Sequence, residues 1–200
     1  MILILLKEFY YIKIKKINTI KLNMLYINNI SMLVDFYLDE NPPLLTDVSD
    51  YEIYVDEVYN ADTFMPDLDV LPNYEDVEVY YDNRASKSIT LSVIYSNEDY
   101  ESAKESIINM YSFLDGPIKD ETGFYYIPSH EFDYKSYQIK VVDNEDFSYP
   151  EQFGMIGFSD DYNRICFLFF YDRSLNSLGN SYTIEDFLKD NFEFPTLYNN

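Results

Sequence analysis

One cysteine, one histidine, five glycines and no tryptophan occur in these 200 residues, and each scarcity excludes a chemistry. A single Cys166 rules out an intramolecular disulfide framework and any zinc site built from several cysteines. His130 stands alone, so the second ligand of a His-Glu-x-x-His zinc helix is missing, although Glu131 and Asp133 lie close by. The glycines at 116, 123, 154, 157 and 179 compose no phosphate-cradling loop, and there is no Gly-x-Ser-x-Gly nucleophile elbow. "DNEDFSYPEQ" opens with Asp143 and Glu145 but continues into Phe147 and lacks the glycine a calcium loop needs at its sixth position. No cofactor or metal is therefore expected. The lack of tryptophan removes one common sugar-stacking side chain, a role tyrosine can also fill.

Positive charge is scarce too. The net charge is −22, and no Lys or Arg occurs between Lys21 and Arg84, while acids run from Asp35 and Asp39 to Asp82. Affinity for nucleic acid comes largely from cationic side chains that displace counterions, so a nucleic-acid partner is not expected. A basic protein partner, or simple solubility, is what such a surface suits.

Long apolar runs are missing as well. The opening "MILILLKEFYYIKIKKINTIKLNMLYINNISMLV" (1–34) holds Lys7, Lys13, Lys15, Lys16 and Lys21 against Glu8 alone. A spanning helix needs roughly 20 predominantly apolar residues, and the lysines interrupt every such window. They also follow the apolar run rather than precede it, unlike a secretory signal. Three readings stand for this leader: a basic segment lying on a membrane surface, a degraded anchor, or an extension upstream of a start at Met24 or Met32. Any membrane contact would come through 1–34.

What the chain does have is apolar and aromatic content: 47% hydrophobic residues, with 22 Tyr and 15 Phe. That is enough to offset chain entropy in one domain of this size. Residues 35–49, with Pro42 and Pro43, read as a linker, 50–194 as a single domain and 195–200 as a tail. Alternation over "YEIYVDEV" (51–58) predicts a strand, as do "DVEVYYD" (76–82) and "SITLSVIY" (88–95), whose short connection makes them an antiparallel hairpin. Ser96 and Asp99 form a capping box that opens a helix, with Tyr100, Ala103, Ile107, Tyr111 and Leu114 as its apolar stripe and Gly116 and Pro117 as its end. Glu101, Lys104 and Glu105 read as its solvated face. Residues 119–133 read as irregular and "KSYQIKVVD" (135–143) as a half-buried strand.

"FGMIGFS" (153–159) and "RICFLFFYD" (164–172) form a second hairpin around the turn "DDYN". The second of these strands is apolar on both faces, so it is expected at the sheet centre. Cys166 is then one pleat of a buried strand, without the cation, helix N-terminus or histidine that would activate a thiol. Thr183 and Asp186 cap a short C-terminal helix that presents Phe187 and Leu188. The expected fold is α+β: an antiparallel sheet of about five strands, one main amphipathic helix packed on it and a short C-terminal helix.

One surface is a candidate for recognition. Asp56, Glu57, Tyr59, Asp62, Asp67, Asp69, Tyr74, Glu75 and Asp76 combine amphipathic aromatic area with negative charge, which suits occlusion of a basic groove. The stretches "FMPDLDVLPNYEDVEVYY", "YSNEDYESAKESIINMYSFL" and "FGMIGFSDDYNRICFLFFYD" together resemble a family of small acidic proteins of AT-rich Gram-positive bacteria with no established activity. Some of these are similar to domains carried behind a membrane anchor, with a linker like "YLDENPPL". The resemblance spans residues 50–190 and brings no functional residue with it. The function expected is a non-enzymatic binding domain of inhibitor or immunity type for a basic partner, with the cytoplasm the favoured compartment. An extracytoplasmic domain tethered by its N-terminal segment and a carboxylate-based hydrolase are the alternatives.

Overall fold

Eight strands and three α-helices build the part of the chain that a computed structural model describes, residues 44–83, 86–175 and 183–195. The leader, the prolines at 42 and 43 and residues 196–200 of the expected tail lie outside the described residues. All the described residues fall in one unit, Pro43–Asn200. The fold is α+β, as the hydrophobic patterning predicts.

The main sheet has six antiparallel strands in the order β1-β2-β8-β7-β6-β5. They are β1 (Asp76–Asn83), β2 (Lys87–Ile94), β5 (Glu131–Tyr134), β6 (Tyr137–Val141), β7 (Gln152–Ser159) and β8 (Arg164–Tyr171). Both expected hairpins form, β1 with β2 and β7 with β8, and β8 lies inside the sheet with both faces buried. The sixth strand is β5, which falls at the end of the stretch expected to be irregular. That stretch also holds most of a small separate hairpin of β3 (Ile118–Lys119) and β4 (Tyr125–Ile127). Its turn is held by Asp120, whose Oδ1 accepts from Thr122 N, Thr122 Oγ1 and Phe124 N, with Gly123 at φ 90°. Strands this short carry too few residues for alternation to emerge from the sequence.

The segment expected as the first strand is instead the helix α1 (Tyr51–Glu57). Two periodicities compete here. Tyr51, Ile53 and Val55 alternate, but Tyr51, Tyr54, Val55 and Val58 also fall at helical spacing, and burial follows the second pattern. Tyr51, Tyr54 and Val58 are buried, while Ile53 is 54% exposed. Tertiary contacts decide it: the Tyr54 ring stacks on Tyr81 of β1 at 5.0 Å, and Tyr51 Oη donates to the Pro66 carbonyl at 2.8 Å. Just upstream, Asp47 accepts from the Ser49 backbone N–H and caps a single 3-10 turn. Leu45 pairs with Tyr81, so residues of the expected linker already join the sheet edge.

The main helix α2 (Tyr100–Met110) begins as expected, with Asp99 N donating to Ser96 Oγ and Ser96 Oγ donating to Asp99 Oδ2. Its end is earlier than Gly116. Tyr111 is already extended, Asp143 N donates to Ser112 O, and Leu114 N donates to Val141 O at 3.0 Å. Backbone pairing with the end of β6 thus replaces the last helical turn. The C-terminal helix α3 (Ile184–Asn191) carries the expected cap, with Asp186 N donating to Thr183 Oγ1.

Helices cover both faces of the sheet. Phe64, Tyr111 and the rings of Phe167 and Phe169 pack together on the face that also receives Tyr54 of α1. Gly154 makes this possible, because a Cβ there would sit 2.9 Å from the Phe64 ring. On the opposite face Phe187 of α3 packs against Phe153 and Phe170.

Candidate functional site

All nine side chains of the proposed recognition surface are solvent-exposed, Tyr59 by 63% and Tyr74 by 39%. Asp56 and Glu57 end α1, Asp62 lies in a 3-10 turn, and Asp67 and Asp69 flank and enter another. Tyr74 and Glu75 lead into β1, which starts at Asp76. The nine do not converge on a point. Glu57 accepts from the Tyr81 hydroxyl at 3.0 Å, and Tyr59 lies 5.7 Å from the Tyr171 ring, whereas Glu75 N donates to Ile94 O at the other end of the hairpin. Five residues of strand separate Asp76 from Tyr81, about 17 Å. The result is an extended acidic surface, suited to broad contact rather than enclosure of a small molecule.

The ion pairs among the described residues are Lys104–Asp160, Lys140–Glu131 and Arg164–Glu78, and none uses any of the nine. The one described cation that reaches this layer is Lys87, whose Nζ donates to the Glu57 carbonyl at 3.1 Å. The surface therefore keeps its negative charge.

Where a carboxyl pKa is displaced among the described residues, the displacement is downward. Hydrogen bonds from Ser49 lower Asp47, and those from Thr122 lower Asp120. The Lys104 ammonium and the Tyr100 hydroxyl, each 2.6 Å away, lower Asp160. Burial pushes Asp172 upward, but bonds from Ser174 and Ser86 outweigh it. A general acid needs the opposite displacement. These groups hold fixed negative charge.

Cys166 and His130 do not meet. Cys166 lies on β8 and His130 directly precedes β5, three strand spacings away, about 14 Å across the sheet. Burial pushes the Cys166 thiol up to about 11, despite the nearby hydroxyls of Tyr137 and Ser92. Among the described residues no group of three or more His, Cys, Asp or Glu is arranged to hold a metal ion, and no helix is long and apolar enough to cross a membrane.

Two further surface features stand out, one that the sequence did not show and one on the helix face read there as solvated. The β5–β6 and β7–β8 turns form an open cleft of about 410 Å³ that brings Asp133 and Lys135 close to Asp160 and Asp161. Only the sheet order makes these distant turns neighbours. Along α2 and the turn before it, Glu98, Glu101, Lys104, Glu105 and Ile108 line a shallow groove of about 570 Å³. Here the three- and four-residue spacing was a usable signal, since it places these side chains on one face. Compared with protein-family models, curated proteins and solved structures, the chain matches none.

Proposed function

We propose that this domain binds a basic protein partner through the acidic surface that runs from Asp56 to Asp76, in the manner of an inhibitor or immunity protein. The observation that carries the reading is the exposure of all nine side chains in a segment without a single Lys or Arg. Such a surface attracts a cationic partner at long range, and Tyr59 and Tyr74 supply contact area at modest entropic cost. The charges act chiefly on the association rate, so binding should weaken steeply with salt.

The test is affinity purification from the source cell with the wild-type chain and a variant carrying Asp56→Asn, Glu57→Gln, Asp67→Asn and Asp69→Asn. A basic protein retained by the wild type should be lost from the variant, and its association rate with the purified wild type should fall at least about tenfold between low and physiological salt. An identical set of retained proteins for both chains ends the proposal.

A further inference from the structure

On the α3 side of the sheet the buried face is not purely apolar. Ser92 of β2 stands opposite Cys166 of β8, which stands opposite Gly157 of β7. Tyr137 of β6 lies over Gly157, where a Cβ would be 3.3 Å from its ring, and so reaches toward the thiol. Ser159 points to the same face, next to the Arg164–Glu78 ion pair. Ser92, Tyr137, Ser159 and Cys166 are at most 1% exposed, and the hydroxyls of the first three have no hydrogen-bond partner of ordinary geometry. The Tyr137 hydroxyl has the Ser92 hydroxyl and the Cys166 thiol as its neighbours, and buried hydroxyls so weakly bonded oppose the closed state, because water would bond them better on opening.

Residues 192–195, which follow α3, lie against this face and meet the strip at Tyr137. Phe192 packs on Phe170 and Phe187, and Phe194 lies 5.2 Å from Tyr134 and 5.7 Å from Tyr137. The Glu193 carboxylate adds to the effect of burial in raising both Tyr80 on β1 and Tyr134 on β5, so it lies on the same side of the sheet as the strip. Ring contacts and the Lys135 ammonium, 5.1 Å above the Phe194 ring, hold it down. Among the described residues, no backbone hydrogen bond ties 193–195 to the sheet. A segment fixed by side chains alone opens more readily than the strands beneath it.

We propose that residues 192–195 form a strap that opens without global unfolding and thereby exposes a hydroxyl- and thiol-bearing strip centred on Ser92, Tyr137 and Cys166. The lone cysteine makes the test unambiguous. The full chain is treated with methyl methanethiosulfonate, which transfers its methylthio group to an exposed thiolate and releases methanesulfinate, and modification is followed by intact mass. In wild type the rate should exceed that allowed by global unfolding and stay nearly flat at low urea. Phe194→Ala should raise it about tenfold or more with little change in the urea midpoint, as expected for local opening. A wild-type rate that climbs with urea in step with global unfolding overturns the proposal, and this measurement decides the matter even if the variant fails to fold. A Phe194→Ala rate equal to that of wild type in a folded variant overturns it as well.

Discussion

On one face of the sheet Phe64 touches Tyr111, Phe147, Phe167 and Phe169, and Tyr111 Oη closes the cluster by donating to the Phe64 carbonyl at 3.0 Å. On the other, Ser88, Thr90 and Ser92 of β2 are as deeply buried as those rings, with Cys166 and Tyr137 beside Ser92. Ser88 finds a partner in the Asn191 carbonyl at the end of α3, while Ser92 has only the Tyr137 hydroxyl and the Cys166 thiol beside it, short of ordinary hydrogen-bond geometry. The two faces therefore differ less in burial than in chemistry. The aromatic face is filled by interlocking rings, although Gln152 Nε2 is buried there without a partner of ordinary geometry, whereas the other face carries a row of such hydroxyls, Ser92, Tyr137 and Ser159, which teaches that depth alone does not measure how firmly a layer is held.

The comparison breaks most visibly at Phe64. Phe64→Ala should cost about 3–5 kcal/mol, because it removes the ring that four aromatic neighbours share and leaves a cavity above Gly154. Urea unfolding followed by circular dichroism measures it, and a loss below about 1 kcal/mol would mean that the face repacks freely.

Ser92→Ala and Tyr137→Phe sharpen the contrast from the other side. Each deletes a hydroxyl with no ordinary partner, so each should be neutral or stabilising by up to about 1 kcal/mol in the same assay. A loss above about 1 kcal/mol for either would show that the hydroxyl is well bonded and that the faces are alike.

The smallest effect is expected at the rim of the aromatic face, where Lys104 pairs with Asp160 and lies 5.9 Å from the Phe158 ring. The Asp160 carboxyl is held below its usual range by the Lys104 and Tyr100 hydrogen bonds. Its contribution is thus present above the unfolded aspartate pKa and is lost as pH falls through the lower folded value. The Asp160 side chain is 66% exposed, so solvent screening keeps this below about 1 kcal/mol. Asp160→Asn should lower stability slightly at pH 7 and not at pH 2, and an equal loss at both would assign the effect to packing.

Much of this was legible in the residues. Long strands such as β2, β7 and β8 announce themselves because every pleat contributes to the pattern, and the caps at Ser96 and Thr183 are local chemistry that needs no distant partner. The acidity of the surface from Asp56 to Asp76 is likewise written in the chain, as is its lack of cations. The short segments resisted. "YEIYVDEV" satisfies two periods at once, and only Tyr81 and Pro66, brought from elsewhere, select the helix.

The sequence by itself determined the α+β class, both long hairpins, the buried place of Cys166 and the negative charge, since these follow from periodicity, capping and composition within continuous stretches. Tertiary structure alone decided that 51–57 is helical, that α2 stops at Met110, and that Ser92, Cys166 and Tyr137 come together on the face that carries Phe194. Each of these outcomes depends on residues far apart in the chain, whose competing local preferences are of similar size until packing and backbone pairing select one.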